Sequence, residues 1–411
     1  MSEEKRVALV IPSYWGRESG EPFNPADAVY DHPTPLDAPG TLGRALRSVE
    51  ALRYGDFRVV VVGAATHPSL ERRVERRLEE ELAPFRDRYP VALFSHSQLR
   101  ELKVMLRERG MAGPARMLSL YGYSNIRNLC LVAAHLLGAE VAVLFDDDQV
   151  YEDPDYLRKA TRVIGGRMGD LFVGGLAGVY MNADGGHLLP PNRDWVFSQW
   201  PAVESMNLAL GMVDREERYQ VTPWVFGGNM VIHRELFTRV PFDPHVPRGE
   251  DIDYLINARF FGYPFLLDRE LRIRHLPPPK TAPLWRRFRE DLDRFLYERE
   301  KLRTQERAEG CRRVEVEELD PYPGRFLRPD LEEMIFRTCL LMGMEYLSRG
   351  DREGFTECMA NVMRLDFRGR FPKSPFRWYL GWQRRWQGFM ARLEEERRLR
   401  DFMSGLYREG G

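Results

Sequence analysis

The chain has 411 residues, 43% hydrophobic and 30% charged, a composition typical of globular proteins rather than of disordered or membrane-embedded ones. Its 61 lysines and arginines nearly balance its 62 aspartates and glutamates, which excludes the strongly basic surface of many nucleic-acid-binding proteins. No apolar run reaches the ~18 residues of a membrane span or resembles a signal-peptide core, so we expect a cytoplasmic protein.

Strands and helices alternate in the first part of the chain. Compact β-branched runs predict strands at residues 6–14, 57–65, 89–96 and 140–145. Apolar residues at helical spacing predict helices at residues 40–52, 67–85 and 125–138. This alternation predicts a mostly parallel α/β sheet with helices on both faces, and such sheets bind ligands beyond the carboxyl ends of their strands.

The pattern changes after residue 150. Glycine-interrupted strand patterns are followed by a short helix, a glycine turn and further strands, at residues 170–182, 222–240, 249–268 and 272–279. From residue 281 onward the pattern is helical. A Pro/Gly break near 310–325 suggests a domain 1–310, with halves of about 1–150 and 151–280, and a helical C-terminal region 311–411.

Three aspartates, Asp146, Asp147 and Asp148, follow the predicted strand 140–145 directly. Adjacent carboxylates repel one another unless a cation lies among them. On an extended backbone Asp146 and Asp148 point to one side and Asp147 to the other, which gives two carboxylates suited to a divalent metal. The alternative is a solvated acidic turn that also caps the next helix, but the apolar strand before the run favours a site.

Five other positions could complete such a site. His275 ends a predicted strand, where neutral imidazole could add a further ligand to Mg²⁺ or Mn²⁺. Glu250 and Asp251 begin a helix after a glycine, where a carboxylate complements the helix dipole or acts as a general base. The pair Gly227 and Gly228 marks a place of close backbone or ligand approach.

The sequence predicts different roles for two further residues, Trp224 and Asp253. Trp224 precedes a predicted strand and is interpreted as an apolar platform for an acceptor, with a core position as the alternative. Asp253, by contrast, is expected only to complement the dipole of its helix.

The order of these motifs resembles that of GT-A fold glycosyltransferases, particularly the family 2-like group, over roughly residues 5–280. The motifs are "VALVIPSY", "TLGRALRSVEAL", "FRVVVVG", "NIRN", "VLFDDD", "GGNMVIHRELF", "GEDIDYLINARFFGY" and "RHLPP". The resemblance implies a Rossmann-like donor half at about 1–150, an acceptor half at about 151–280, and Mg²⁺ or Mn²⁺ bridging the diphosphate of a nucleotide-sugar donor. The implied activity is transfer of the sugar to a hydroxyl acceptor, either a small polar molecule or a glycan.

The resemblance also implies roles for individual residues. Asp148 and His275 would be metal ligands, and Glu250 and Asp251 the catalytic carboxylates, with the aspartate as the base of inverting members. The implied donor-binding residues are Pro12, Tyr14, Arg127, Asp146, Asp147, Gly227 and Gly228, although alternation gives Asp147 the weakest claim of the three aspartates.

The sequence departs from the family pattern in three segments. Residues 63–67, "GAATH", replace the usual acidic motif after the second strand, which leaves the nucleotide open. Residues 15–40 and 97–124 are long for their positions and are expected to overhang the donor site. A late histidine is common in retaining members too, so the stereochemical outcome stays open.

Other functions remain open at this stage. "FDDDQV" also fits the D-x-D pattern of metal-dependent phosphotransferases and phosphatases, in which the first aspartate is a nucleophile. A binding protein without catalysis is a further alternative.

In the C-terminal region, tryptophans four residues apart among arginines at 376–393 indicate either a membrane-surface helix or a stripe packed on the core or on a second subunit. The four cysteines lack metal-type spacing and are expected to be free thiols.

Overall fold

The computed structural model describes residues 4–22, 24–280, 282–366 and 369–407. The strands are β1 (Val7–Gly16), β2 (Thr34–Pro35), β3 (Phe57–Ala65), β4 (Val91–Phe94), β5 (Val141–Leu144), β6 (Gln149–Val150), β7 (Arg167–Met168), β8 (Leu171–Phe172), β9 (Gly175–Met181), β10 (Tyr219–Val221), β11 (Met230–His233) and β12 (Phe265–His275). The helices are α1 (Leu42–Val49), α2 (Glu71–Leu82), α3 (His96–Glu108), α4 (Ala112–Ala115), α5 (Tyr123–Leu136), α6 (Tyr156–Val163), α7 (Ala202–Leu210), α8 (Arg234–Arg239), α9 (Glu250–Phe260), α10 (Leu284–Arg303), α11 (Leu331–Ser348), α12 (Arg352–Met363), α13 (Pro375–Glu395) and α14 (Arg397–Gly405).

One large mixed sheet forms the centre of the molecule. Its main path runs β10-β12-β9-β11-β5-β1-β3-β4, with β2 paired to β1 and β6 to β12. The part from β5 to β4 is wholly parallel, whereas β11 pairs antiparallel with both β5 and β9. The predicted α/β sheet with flanking helices and a helical C-terminal region is confirmed.

Alternation along the central strands divides the core between the two faces of the sheet. On β1, Val7, Leu9 and Ile11 belong to one buried cluster with the apolar faces of α1, α2 and α6. Ala8 and Val10 belong to a second cluster with α5 and α9 through α13. Because both faces are covered, the central strands are apolar at nearly every position, as the sequence shows.

The C-terminal region packs on the chain's own core. The indole N–H groups of Trp382 and Trp386 donate to the carbonyls of Phe242 and Phe237, at 3.1 and 2.9 Å. Trp386 is fully buried. The tryptophan stripe is therefore a packing surface, and the membrane-surface interpretation of this helix is wrong. No helix within the described ranges is long and apolar enough to cross a bilayer.

Several element predictions differ from the structure. The strand predicted at the end of the segment 249–268 and the strand predicted at 272–279 form one strand, β12. Its pairing with β9 shifts register between Leu267 and Arg272. Residues 222–240 hold a short helical turn, Gly227–Asn229, then β11 and α8. The segment 97–124 is largely helix, and Leu99, Leu102 and Leu106 bury it in the core. All four cysteines are free, as predicted.

A buried ion cluster attaches α9 to α10. The Lys301 ammonium is fully buried and lies 2.6 Å from Asp253 Oδ1 and 2.8 Å from Asp243 Oδ2. Burial raises the pKa of Asp253 to about 6, although the Lys301 charge acts in the opposite direction. Asp253 therefore does more than complement the helix dipole, which corrects the sequence interpretation.

We predict that Lys301→Met lowers the free energy of unfolding by about 3 kcal/mol or more, because it leaves two buried carboxylates without a counter-charge. Chemical denaturation measures this loss. The matched control is Arg303→Met on the same helix, since Arg303 is 72% exposed and pairs with Glu300 at the surface. That variant should change the free energy by less than about 1 kcal/mol, and equal losses in the two variants would contradict the role of the cluster.

Candidate active site

The residues predicted to form a site come together at one edge of the sheet. The carboxyl ends of β1, β5 and β12 meet there, as expected for the crevice of an open α/β sheet. The turn Gly227–Asn229 and the first residues of α9 lie against the same edge. Segments far apart in the chain therefore supply one cluster of side chains.

Arg127 joins two of these segments through a buried guanidinium. Its Nη2 lies 2.9 Å from Asp146 Oδ1, and its Nε donates to Glu250 Oε1 at 3.2 Å. Arg127 comes from α5, the helix that precedes β5, and its side chain is only 4% exposed. A guanidinium in this position offsets part of the repulsion among the carboxylates at the end of β5.

The three aspartates point in different directions, but β5 ends at Leu144 and Asp147 and Asp148 lie in a turn, so the predicted extended backbone is wrong here. Asp146 points toward Arg127 of α5, on one face of the sheet. Asp147 accepts a 2.5 Å hydrogen bond from Ser13 Oγ of β1 and also faces Thr41 at the start of α1, on the other face. Burial and the neighbouring carboxylates raise the pKa of Asp147 to about 8.

Asp148 contacts the last residue of β12. Its Oδ2 lies 3.3 Å from His275 Nε2, and its backbone carbonyl accepts from the N–H of Leu276. Asp148 is buried, and its Oδ1 has no hydrogen-bond partner. The end of β5 and the end of β12 are thus connected through both backbone and side chain.

The Asp148–His275 pair fits a divalent cation that takes its remaining ligands from a substrate. A carboxylate oxygen without a partner lies beside an imidazole nitrogen, the donor types that bind Mg²⁺ and Mn²⁺. Within the described residues, no group of three or more His, Cys, Asp or Glu could hold a metal alone. An ion held by two protein ligands and by phosphate oxygens and water matches this donor set.

Two acidic residues begin α9 and differ in environment. Asp251 Oδ2 accepts from the N–H of Gly227 at 2.8 Å, which fixes the carboxylate against the glycine turn. Glu250 faces Arg127, and burial together with the Asp251 charge raises its pKa to about 7. Gly249, at φ +70°, precedes the pair, and a Cβ there would lie 1.7 Å from Arg294 Nη1.

The glycine turn passes directly against the acidic edge. A Cβ on Gly228 would lie 2.1 Å from Gln149 Nε2 and 2.5 Å from Asp146 Oδ2. A Cβ on Gly227 would lie 2.6 Å from an Arg127 nitrogen. A side chain at either position would therefore displace a side chain of the acidic edge, which agrees with the glycine pair seen in the sequence.

A stack of aromatic rings supports the imidazole. The Tyr180 ring stacks on Phe226 at 4.2 Å between centroids and lies 4.5 Å from the His275 ring. The Tyr180 hydroxyl accepts from the N–H of Gly228 at 2.9 Å. Tyr180 therefore positions both the histidine and the glycine turn.

The central part of the segment 15–40 lies beside the site. The Tyr30 ring lies 4.4 Å from the Tyr14 ring, and Asp31 pairs with Arg248 at 3.0 Å. The Asp148 charge acts to raise the pKa of the His32 imidazole, but burial has the larger effect and lowers that pKa. The expectation that this segment overhangs the donor site stays a prediction.

The structure shows that the interpretation of Trp224 as an acceptor platform is wrong. Its side chain is fully buried, and its indole N–H donates to the Ala209 carbonyl at 3.0 Å. A ring without exposed surface cannot stack on an acceptor, so Trp224 belongs to the core. Pro12 is also buried, paired with Val62 in the sheet one residue before Ser13.

Three residues of the site were missed from the sequence. Gln149 follows the aspartate run, and its Oε1 accepts from the Asp146 N–H while its buried Nε2 has no partner. Its position next to the run was an available signal. Tyr180 and His32 gave no comparable signal, because their strand and loop reach the site only through the fold.

Several buried polar atoms at this edge have no hydrogen-bond partner. They are Tyr14 Oη, Arg127 Nη1, Asp148 Oδ1 and Gln149 Nε2. Buried polar atoms are satisfied in most proteins, so a concentration of exceptions at one place is typical of a site that binds water or a polar ligand.

No family model matches the chain, and no curated protein matches it significantly. Similar solved structures include the mannosyltransferase PcManGT from Pyrobaculum calidifontis in complex with GDP-Man and Mn²⁺, at 15% identity over 96% of this chain and 88% of that one, with a TM-score of 0.45.

Two further similar structures are a mycobacterial protein and GalNAc-T7 with UDP, GalNAc and Mn²⁺. The first has 16% identity over 72% of this chain and 73% of that one, with a TM-score of 0.39. The second has 13% identity over 82% and 56%, with a TM-score of 0.38. At such values these similarities do not establish a function, which has to be argued from the residues of the site.

We predict that Gly228→Ala destabilises the protein by about 1–3 kcal/mol, because the added Cβ displaces Asp146 and Gln149. Thermal or chemical unfolding measures the change. Gly211→Ala is the control, since a Cβ at Gly211 meets nothing within 4 Å. A Gly228→Ala protein as stable as the control would show that the turn is not held against the acidic edge.

Proposed function

We propose that this chain is a divalent-metal-dependent glycosyltransferase that moves a sugar from a nucleotide-diphosphate sugar to a hydroxyl acceptor. The observation that carries the proposal is the contact between Asp148 and His275 at the sheet edge. The other carboxylate oxygen of Asp148, Oδ1, has no hydrogen-bond partner. Arg127 and the Glu250–Asp251 pair surround the same point.

Asp148 and His275 would hold the cation. A bound Mg²⁺ or Mn²⁺ neutralises charge on a diphosphate and so makes a nucleoside diphosphate a better leaving group. The protein's part is to present one carboxylate oxygen and one imidazole nitrogen on the same side of the site. The Tyr180 ring lies against the His275 ring, 4.5 Å between centroids, and restricts the imidazole to that orientation.

Asp146, Gln149 and Arg127 would orient the donor sugar. Asp146 keeps one oxygen on Arg127 and is about a quarter exposed, so it can accept from a sugar hydroxyl. Gln149 Nε2 is a donor without a partner in the same place. The glycines at 227 and 228 let the backbone approach the sugar ring closely.

Asp251 is the candidate general base. Its carboxylate is fixed by the Gly227 N–H but remains partly exposed, so it can take the proton of an acceptor hydroxyl as the new bond forms. Glu250 is buried against Arg127 and is better suited to hold the guanidinium in place. We therefore assign the proton transfer to Asp251 and a positioning role to Glu250.

The phosphotransferase alternative has no observation in its favour. It requires Asp146 as a free nucleophile, whereas Asp146 is paired with Arg127 at 2.9 Å. The second aspartate of the D-x-D pattern, Asp148, faces His275. The nucleotide, the sugar and the acceptor of the proposed transferase are left to experiment.

We predict that a nucleoside diphosphate raises the melting temperature of the protein in the presence of Mn²⁺ and much less in its absence. UDP, GDP and ADP should be compared by thermal shift. Asp148→Ala and His275→Ala should each lose the Mn²⁺-dependent part of the shift, because each removes one of two protein ligands.

The control for this experiment is Asp147→Asn, which alters the neighbouring carboxylate but preserves an oxygen that accepts from Ser13. This variant should keep the Mn²⁺-dependent shift. If Asp148→Ala kept it, or if Asp147→Asn alone lost it, the assignment of the metal ligands would be wrong.

We predict that Asp251→Asn keeps donor binding but lowers the transfer rate by about 10²–10⁴-fold, the usual contribution of a general base. The amide oxygen can still accept from the Gly227 N–H, so the turn should be preserved. Binding is measured by the thermal shift with Mn²⁺ and nucleotide, and transfer by release of nucleoside diphosphate from the identified donor. Full activity of Asp251→Asn would refute its role.

A further inference from the structure

A short proline-rich segment follows β12 at the edge of the sheet that carries Asp148 and His275. It consists of Leu276, three prolines and Lys280. The Leu276 N–H donates to the Asp148 carbonyl at 3.0 Å, and the Leu276 carbonyl accepts from Arg44 Nη2 at 2.9 Å. Each proline fixes its own φ and so restricts the directions that the backbone can take. The segment therefore starts at a fixed point of the site and carries a lysine at its end.

Lys280 joins this segment to the segment 15–40. Its ammonium lies 3.2 Å from Asp31 Oδ2, and Arg248 Nη2 lies 3.0 Å from the same oxygen. Burial acts to raise the pKa of Asp31, but the charges of Arg248 and Lys280 lower it to about 2, and Arg248 has the larger effect of the two. Asp31 is therefore ionised at neutral pH and is held by two cations.

The two cations that hold Asp31 differ in their freedom to move. Arg248 is 20% exposed, and its guanidinium also lies 2.9 Å from Asp291. Lys280 is 38% exposed, and Asp31 is its one carboxylate partner among the residues that the structure describes. Exposed lysine pairs contribute little to stability, because water competes for both charges. Lys280 can therefore leave Asp31 at little cost, since Arg248 still balances the carboxylate.

The His32 imidazole lies among the same charges. Burial lowers its pKa, and the charges of Asp31 and Asp148 act in the opposite direction. The charges of Lys280 and His275 lower the pKa further, so Lys280 and the predicted metal ligands act on one ring. The buried Nδ1 of His32 has no hydrogen-bond partner within the described residues. A buried polar atom in this condition is typical of a place that water or a polar ligand occupies.

We propose that Lys280 is a donor-binding residue, which exchanges Asp31 for an oxygen of the donor's diphosphate. This inference rests on the proposed function, since it requires a diphosphate on the cation that Asp148 and His275 hold. A nucleoside diphosphate with one divalent cation keeps a net negative charge, and a lysine ammonium is a compact point charge that binds phosphate. Asp31 keeps Lys280 beside the site before the donor binds, and Arg248 keeps Asp31 in place afterwards.

A purely structural ion pair is the alternative. In that case Lys280 and Asp31 only hold the segment after β12 against the segment 15–40. Removal of either charge would then break the same contact and would change ligand binding by the same factor. The two explanations therefore differ in the effect of removing the carboxylate.

The first test measures the dissociation constants of UDP, GDP and ADP with Mn²⁺ by isothermal titration calorimetry. For the diphosphate that the parent protein binds most tightly, Lys280→Gln should raise the dissociation constant about 10-fold or more, because a charge-assisted contact to phosphate is lost. Lys280→Arg keeps the charge and should retain most of the affinity. Lys159→Gln is the matched control, since Lys159 is 34% exposed on α6 and pairs with Asp153 at 2.8 Å. The control should bind as the parent protein does.

The second test removes the carboxylate instead of the ammonium. Asp31→Asn should leave the dissociation constant unchanged or lower it by up to about 5-fold, the range that corresponds to an exposed ion pair, because Lys280 then has no competing carboxylate. The amide oxygen can still accept from Arg248, so the segment 15–40 should stay in place. Melting temperatures without ligand check that each variant is folded.

A loss of affinity in Asp31→Asn that equals or exceeds the loss in Lys280→Gln would overturn the inference, because it would identify a structural ion pair. An unchanged dissociation constant in Lys280→Gln would overturn it as well. Binding by the parent protein that persists in Lys280→Gln leaves the proposed function standing and removes only this inference. A parent protein that binds none of the three diphosphates with Mn²⁺ would overturn both.

Discussion

The candidate site depends on one buried ion interaction, the guanidinium of Arg127 between Asp146 and Glu250. These carboxylates come from the end of β5 and the start of α9, more than a hundred residues apart in the chain. The guanidinium also fills the space that a side chain at Gly227 would need. One residue of α5 thereby sets the distance between the aspartate run, the glycine turn and the α9 carboxylates.

This arrangement explains how the sequence can place so many acidic groups at one edge of the sheet. Asp147 is turned away and held by Ser13, and its raised pKa reduces its charge near neutral pH. Asp146 and Glu250 share Arg127. Asp148 Oδ1 is buried without a hydrogen-bond partner among the described residues, which is the property expected of a metal ligand.

Much of this could be predicted from the sequence because the relevant rules are local. The apolar strand before Asp146 predicts that the aspartate run lies at the carboxyl end of a buried strand, although the run itself forms a turn beyond Leu144. The parallel order of the first strands brings their carboxyl ends together, so Tyr14 and the aspartate run share an edge. The position of His275 at a strand end, together with the order of the motifs, predicted that it lies near Asp148. In the structure the two side chains are 3.3 Å apart.

The rest could not be predicted because it depends on packing between distant segments. Trp224 looks the same in sequence whether its ring is buried or exposed, and only the contact with the Ala209 carbonyl distinguishes the two. The pairing of Lys301 with Asp253 joins α10 to α9 across 48 residues. Tyr180 reaches His275 because β9 and β12 are neighbours, an order that alternation along the chain does not reveal.

The central claim is that the Asp148–His275 edge uses a divalent cation to release a nucleoside diphosphate from a sugar donor. The most direct measurement is a screen of UDP-, GDP- and ADP-sugars with Mn²⁺ and a set of hydroxyl acceptors, in which nucleoside diphosphate release is quantified with and without a chelator. The account predicts chelator-sensitive release from at least one donor. No release from any donor, together with metal-dependent phosphate release from phosphomonoesters, would contradict it.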